Sequence, residues 1–298
     1  MNKKKTLKEL TLKDNFMFGA VMSEEENCRR LLELILQFPI EKVEVSKEKS
    51  ILYHPLYKGI RLDVFAKDEN NTHYNVEMQT VQKAALGKRA RYYHSQIDME
   101  LLLSGGKYAQ LPNTYVIFIC DFDPFGEGKY CYTFENRCEE ISSLTLSDGS
   151  KSIFLNTHGK NENEVSEAMV KFLMYVKADL LESVKDFEDE FVRSIQESVQ
   201  HVKESREMEE KFMILHELLE EEREESYEAG KTEGKAEGKA EGKAEGKAES
   251  IIELLQDLGT VTEELQSKIF GETDISVLAR WLKLAAKAEN IEQFRQNM

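Results

Sequence analysis

Apolar and polar positions divide the 298-residue chain into a mixed first half and a helical second half. From Thr11 to Phe38, apolar residues recur at Phe16, Val21, Leu31, Leu34, Ile35 and Phe38. That is helical spacing, with Ser23 placed to cap a junction between two helices and Pro39 ending the run. Three strand candidates follow, Val43–Tyr53, Gly59–Ala66 and Thr72–Thr80, and Asp68-Glu69-Asn70-Asn71 joins the last two as a hairpin turn. Lys88–Ser104 returns to helical spacing and stops at Gly105-Gly106. Thr114–Asp121 is almost continuously apolar, as a strand buried on both faces must be, and Lys129–Glu135 reads as a further strand. A strand–helix–strand unit late in this order predicts an α/β fold, a mixed sheet with helices on its faces.

From Val165 the spacing is helical throughout. Met169, Phe172, Val176 and Leu180, then Phe187, Phe191, Ile195 and Val199, define one apolar stripe. Residues 230–249 are a tetrapeptide array with glycine at positions 230, 234, 238, 242 and 246. In a helix this array stacks Glu on Glu and Lys on Lys, and each glycine costs about 1 kcal/mol relative to alanine. It is therefore either a flexible linker or a helix with a glycine row. Ile252, Leu255, Leu258, Leu265, Ile269, Leu278, Trp281 and Leu282 outline a small helical tail. The expected division is a core over 1–160, a helical extension over 161–229, the array over 230–249 and a helical domain over 250–298.

Composition changes this picture in one respect. The formal charge is −16, which on its face speaks against nucleic acid. Yet residues 1–110 carry 18 basic against 15 acidic side chains, a net of +3, and the remainder carries −19. No apolar run approaches the roughly 18–20 residues that a membrane span needs. The amino terminus lacks an apolar signal core, so we expect a cytoplasmic protein. Cys28, Cys120, Cys131 and Cys138 form no CxxC pair, and buried free thiols are the simplest expectation.

Chemistry concentrates in the central hairpin. Strand alternation places Leu62 and Val64 on one face and Asp63 on the other, and likewise separates Val76 and Met78 from Asn75, Glu77 and Gln79. A hairpin then brings Asp63 and Glu77 together with Gln79 beside them. Two adjacent carboxylates repel unless a cation is bound or one is protonated, and oxygen ligands suit Mg²⁺ or Mn²⁺. A solvated hairpin face is the alternative. The next segment, Val81–Ser95, contains Lys83, Lys88, Arg89 and Arg91 and no acid, interleaved with Tyr92, Tyr93 and His94. Such a stretch suits phosphate contacts and base stacking, and Arg89, Tyr93 and Gln96 share a helical face.

These residues resemble a known family. Asp14-x-x-Phe, Arg61-Leu62-Asp63-Val64, Asn75-Val76-Glu77-Met78-Gln79, Lys88-Arg89-x-Arg91-Tyr92-Tyr93, Gly105-x-x-Tyr108 and Val116–Asp121 with Phe122-Asp123-Pro124-Phe125 are similar to the PD-(D/E)XK nuclease family transposases, also called recombination-promoting nucleases. The resemblance covers roughly Thr11 to Leu180. It implies a restriction-endonuclease-like core, followed here by an α-helical region, and metal-dependent DNA endonuclease activity linked to recombination or transposition. It places metal ligation on Asp63 and Glu77, with the Met78 carbonyl as an extra ligand. Gln79, where the wider superfamily usually has lysine, is left to orient water. Asp14 either assists the site or caps a helix. DNA contacts are expected from Lys83, Lys88, Arg89, Arg91, Tyr93 and Gln96. A homodimer through the helical half is expected, because double-strand cleavage needs two sites. A non-catalytic nucleic-acid-binding or scaffold protein, and a nuclease in phage defence, are the alternatives.

Overall fold

The computed structural model describes residues 5–46, 50–51, 60–82 and 84–298. Lys83 and parts of the first two predicted strands lie outside them. Two helices open the fold, α1 (Asn15–Met22) and α2 (Glu25–Leu36). Ser23 closes α1, its hydroxyl donating to the Gly19 carbonyl, and the chain leaves α2 through Gln37 in the left-handed region just before Pro39.

Strands β1 (Val43–Ser46), β2 (Ser50–Ile51), β3 (Ile60–Arg61), β4 (Val64–Asp68) and β5 (His73–Gln79) follow. After helix α3 (Leu86–Leu101) come β6 (Thr114–Cys120), β7 (Cys131–Phe134) and β8 (Ser150–Asn156). Six of these strands form one mixed sheet in the order β1-β4-β5-β6-β8-β7, while β2 and β3 pair separately. The β5–β6 and β6–β8 pairs are parallel and the other pairs in the large sheet antiparallel. Strand β8 is a position that periodicity missed. Its apolar core, Ile153-Phe154-Leu155, is only three residues long, yet it supplies the second parallel neighbour that lets β6 be buried on both faces.

The sheet is covered on both sides. Val64, Ala66, Tyr74, Val76, Met78, Ile117, Ile119, Ile153 and Leu155 share a core with α1, α2 and the helices α4 (Glu167–Lys177) and α5 (Glu190–Glu204). Phe65, Val116, Phe118, Cys120 and Phe154 pack on the other face with Leu86, Ala90, Tyr93 and Ile97 of α3. All seven residues of β5 are buried. The expected alternation through Leu62–Val64 needs correction. The chain bends at Asp63, so Leu62 joins Phe65 on the α3 face while Val64 packs on the opposite face. Asp63 hydrogen-bonds through both its N–H and its carboxylate to the neighbouring strand β5, in place of regular strand continuation.

The apolar stripe expected after Val165 is carried by two capped helices. Ser166 accepts from the Met169 N–H to start α4, and Asp189 accepts from the Val192 N–H to start α5. Helix α6 spans Arg206–Leu258 and contains the whole glycine array. The chain divides into two compact units, Met1–Met213 and Ile214–Met298. In the second, Ile251, Leu255, Leu265, Ile269, Leu278, Trp281 and Phe294 form a core of their own with α7 (Glu263–Phe270), α8 (Ile275–Ala285) and α9 (Ile291–Asn297). No described helix is long and apolar enough to cross a membrane, and all four cysteines are free.

Candidate active site

The open end of the β4–β5 hairpin, away from the Asp68–Asn71 turn, carries the carboxylate pair. Antiparallel register sets Val64 opposite Val76, so Asp63 falls beside Glu77. The Asp63 N–H donates to Glu77 Oε1 at 3.3 Å, and the Met78 N–H donates to Asp63 Oδ2 at 3.1 Å. Packing of α1 closes the other side: a Cβ on Gly19 would stand 3.8 Å from the Asp63 carbonyl oxygen.

Glu77 is 1% exposed, which removes the solvated-hairpin alternative for it. Its two oxygens have separate partners. Oε1 also accepts from Asn75 Nδ2 at 3.1 Å; Oε2 accepts from an Arg89 terminal nitrogen at 2.7 Å and from the Tyr93 hydroxyl at 3.3 Å. Burial, and next the negative charge of Asp63, push the Glu77 carboxyl up to about 7, against the opposing pull of Arg89.

Arg89 comes from the first turns of α3. Its Nε donates to the Tyr93 hydroxyl at 2.7 Å and its second terminal nitrogen to Gln79 Oε1 at 2.5 Å. The guanidinium also lies over the rings of Tyr93 and Phe118, 5.0 and 5.6 Å from their centroids. Three of the expected DNA contacts lie on the face of α3 that meets the sheet. Arg89 is turned inward onto Glu77 and Gln79, Tyr93 is buried and stacked against Phe118, and Gln96 is buried on the same helix face. Helical spacing joined these three correctly but could not say that the shared face meets the sheet. Lys88 and Arg91 are exposed on the other faces of α3.

Asp14 is the N-cap residue of α1. Its carboxylate accepts from the Thr11 N–H at 2.7 Å and pairs with Lys5 at 2.9 Å. Asn75 is a site residue that sequence reasoning placed on the right face without a role. It orients Glu77, and its own Oδ1 is buried with no hydrogen-bond partner among the described residues. A buried Asn two residues before a buried Glu was the available signal. A cavity of about 310 Å³ lined by Asn113, Tyr115, Glu135 and Asp148 belongs to the amino-terminal ends of β6 and β8, away from these groups.

The residues present fit a hard divalent cation. Asp63, Glu77 and the Met78 carbonyl are oxygen donors, two carboxylates stand side by side, and the Asn75 amide oxygen is buried with no hydrogen-bond partner among the described residues. Among the described residues no group of three His, Cys, Asp or Glu side chains assembles, so such a site would rest on two carboxylates supplemented by neutral oxygens.

A mixed six-stranded sheet flanked by helices, with this acidic pair at its hairpin, defines a restriction-endonuclease-like nuclease fold. Residues 12–233 match the family described as PD-(D/E)XK nuclease family transposase, and the chain belongs to that family. No curated protein and no solved structure matched it. Family membership supports a nuclease-type function.

Proposed function

We propose that the protein hydrolyses phosphodiester bonds in DNA with Mg²⁺ or Mn²⁺ at Asp63 and Glu77, in a reaction linked to recombination or transposition. The observation that carries this reading is the Asp63–Glu77 pair, in which a half-buried Asp63 lies beside a buried Glu77 whose carboxyl is raised by burial and next by the charge of Asp63, even with Arg89 in contact. The side chains of Asp63 and Glu77 and the Met78 carbonyl would hold the ion, and Gln79 would bind water or phosphate beside it. Such an ion, when bound, polarises the phosphate and acidifies water. The protein's own part is to keep the carboxylates oriented through Asn75, Met78 and Arg89 and to bury Glu77 from bulk solvent. The exposed Lys88 and Arg91 are proposed to meet the DNA backbone. Asp14 is read as a structural residue, its carboxylate tied back to Thr11 and Lys5 and making no side-chain cap bond to α1.

The domain division proposed is a nuclease core followed by the helical extension, the array and the small helical domain. A cytoplasmic homodimer is part of the reading. Met213, Ile214, Leu218 and Leu219 are exposed on α6 and offer apolar surface for it, and light scattering showing a monomer at micromolar concentration would count against it. The direct test is plasmid cleavage with Mg²⁺ or EDTA. Asp63→Ala and Glu77→Ala should abolish nicking while circular dichroism stays unchanged, and cleavage that survives both changes overturns the proposal. One observation favours a second reading, a non-catalytic DNA-binding protein: Glu77 already has a resident cation in Arg89. Retained DNA binding with no Mn²⁺ uptake by calorimetry would select it.

A further inference from the structure

We propose that Arg89 is the positioning residue of this site, supplying from α3 the positive charge that holds the Glu77 carboxylate and fixes the orientation of the Gln79 amide. The inference rests on the nuclease reading of the same site and deepens it.

All three guanidinium nitrogens converge on groups of the site rather than on solvent: Gln79, Glu77 and the Tyr93 hydroxyl. The planar fork matches two acceptors that strand alternation places side by side on β5. The side chain is also held by aromatic faces, Tyr93 on its own helix and Phe118 on β6. The contacts come from β5, β6 and α3 itself, so the geometry is set by α3 docking on the sheet.

The contact to Gln79 has a chemical consequence. Its oxygen is taken by Arg89, so what remains to face a water or phosphate oxygen is the amide nitrogen, which only donates. Gln79 then acts as a hydrogen-bond donor and not as a base. Glu77 and Gln79 lie two apart on one strand face, so a lysine at position 79 would put an ammonium beside Glu77 and could replace the charge that Arg89 brings.

The test uses the full chain as wild type, Arg89→Met, Gln79→Lys and the double variant, read by plasmid nicking in Mn²⁺ and by Mn²⁺ calorimetry. Arg89→Met keeps the stem and removes the donors; nicking should fall about 100-fold, the scale of losing one preorganised donor. Mn²⁺ should bind Arg89→Met about tenfold more tightly, because a nearby cation is gone. A merely structural arginine would lower both. The double variant should recover nicking at least about tenfold over Arg89→Met and return Mn²⁺ affinity toward wild type. Gln79→Lys alone should nick less than wild type, since two cations then crowd Glu77.

Nicking by Arg89→Met within about threefold of wild type, or a folded double variant no better than the single, overturns the proposal. If Arg89→Met does not fold, Arg89→Lys decides. It keeps the charge without the fork, so nicking should drop about tenfold with Mn²⁺ affinity unchanged, and wild-type nicking would overturn the role. If wild type and Glu77→Ala nick alike, the nuclease reading falls by itself. The Mn²⁺ isotherms then judge Arg89, equal affinity in wild type and Arg89→Met counting against it.

Discussion

Asn75 and Glu77 lie two residues apart on one face of β5, and the amide of the first donates to the carboxylate of the second at 3.1 Å beneath helix α3. Asn75 is fully buried, and its oxygen has no hydrogen-bond partner among the described residues. A strand that buries an amide and an acid under a helix accepts a desolvation penalty of a few kcal/mol. That placement makes sense as a prepared electrostatic site rather than as core packing, and it sets up the following expectations.

Glu77 makes metal-free stability depend on pH. Its carboxyl is raised from 4.5 to about 7 in the folded protein. The folded state therefore binds more protons than the unfolded state between these values, and stability is present below about 4.5 and lost as pH rises through about 7. Glu77→Gln should flatten this loss, which is on the order of a few kcal/mol. Urea unfolding in EDTA from pH 4.5 to 8 measures it, and an equal slope in both proteins would refute the assignment.

Tyr93→Phe removes the hydroxyl between Arg89 and Glu77 and keeps the ring stacked on Phe118. It should cost about 1 kcal/mol, the net worth of a hydrogen bond. Tyr93→Ala should cost about 3–5 kcal/mol as a large buried ring is lost. Denaturant midpoints should rank wild type, Phe and Ala in that order.

Lys88→Ala and Arg91→Ala change exposed positions of α3, so stability should move by less than about 0.5 kcal/mol. If these side chains meet phosphates, each change should weaken DNA binding and reduce the slope of log K against log salt by about 1. Fluorescence anisotropy over a salt series reads this; an unchanged slope in both variants would place the DNA elsewhere.

Gly19→Ala should stabilise the protein by about 0.5–1 kcal/mol, since glycine is the weaker helix former inside α1. The new methyl meets the Asp63 carbonyl only at ordinary contact distance. Gly19→Leu, by contrast, should push on Asp63 and lower nicking together with the melting temperature.

What the residues alone determined was the pattern of elements and one face of the hairpin. The 3.6 period located α1, α2 and α3, the continuous apolar run located β6, and period two put Asn75, Glu77 and Gln79 on a common face, because those repeats are properties of the backbone. Tertiary structure decided the rest. The bend at Asp63 arises from hydrogen bonds to a strand fourteen and fifteen residues away, and no local period encodes it. Strand β8 earns its place through its parallel partner, not through its own short apolar core. Arg89 meets Glu77 because the face it shares with Tyr93 is the one that α3 lays on the sheet. A sequence reports which side chains share a face; only packing reports what that face meets.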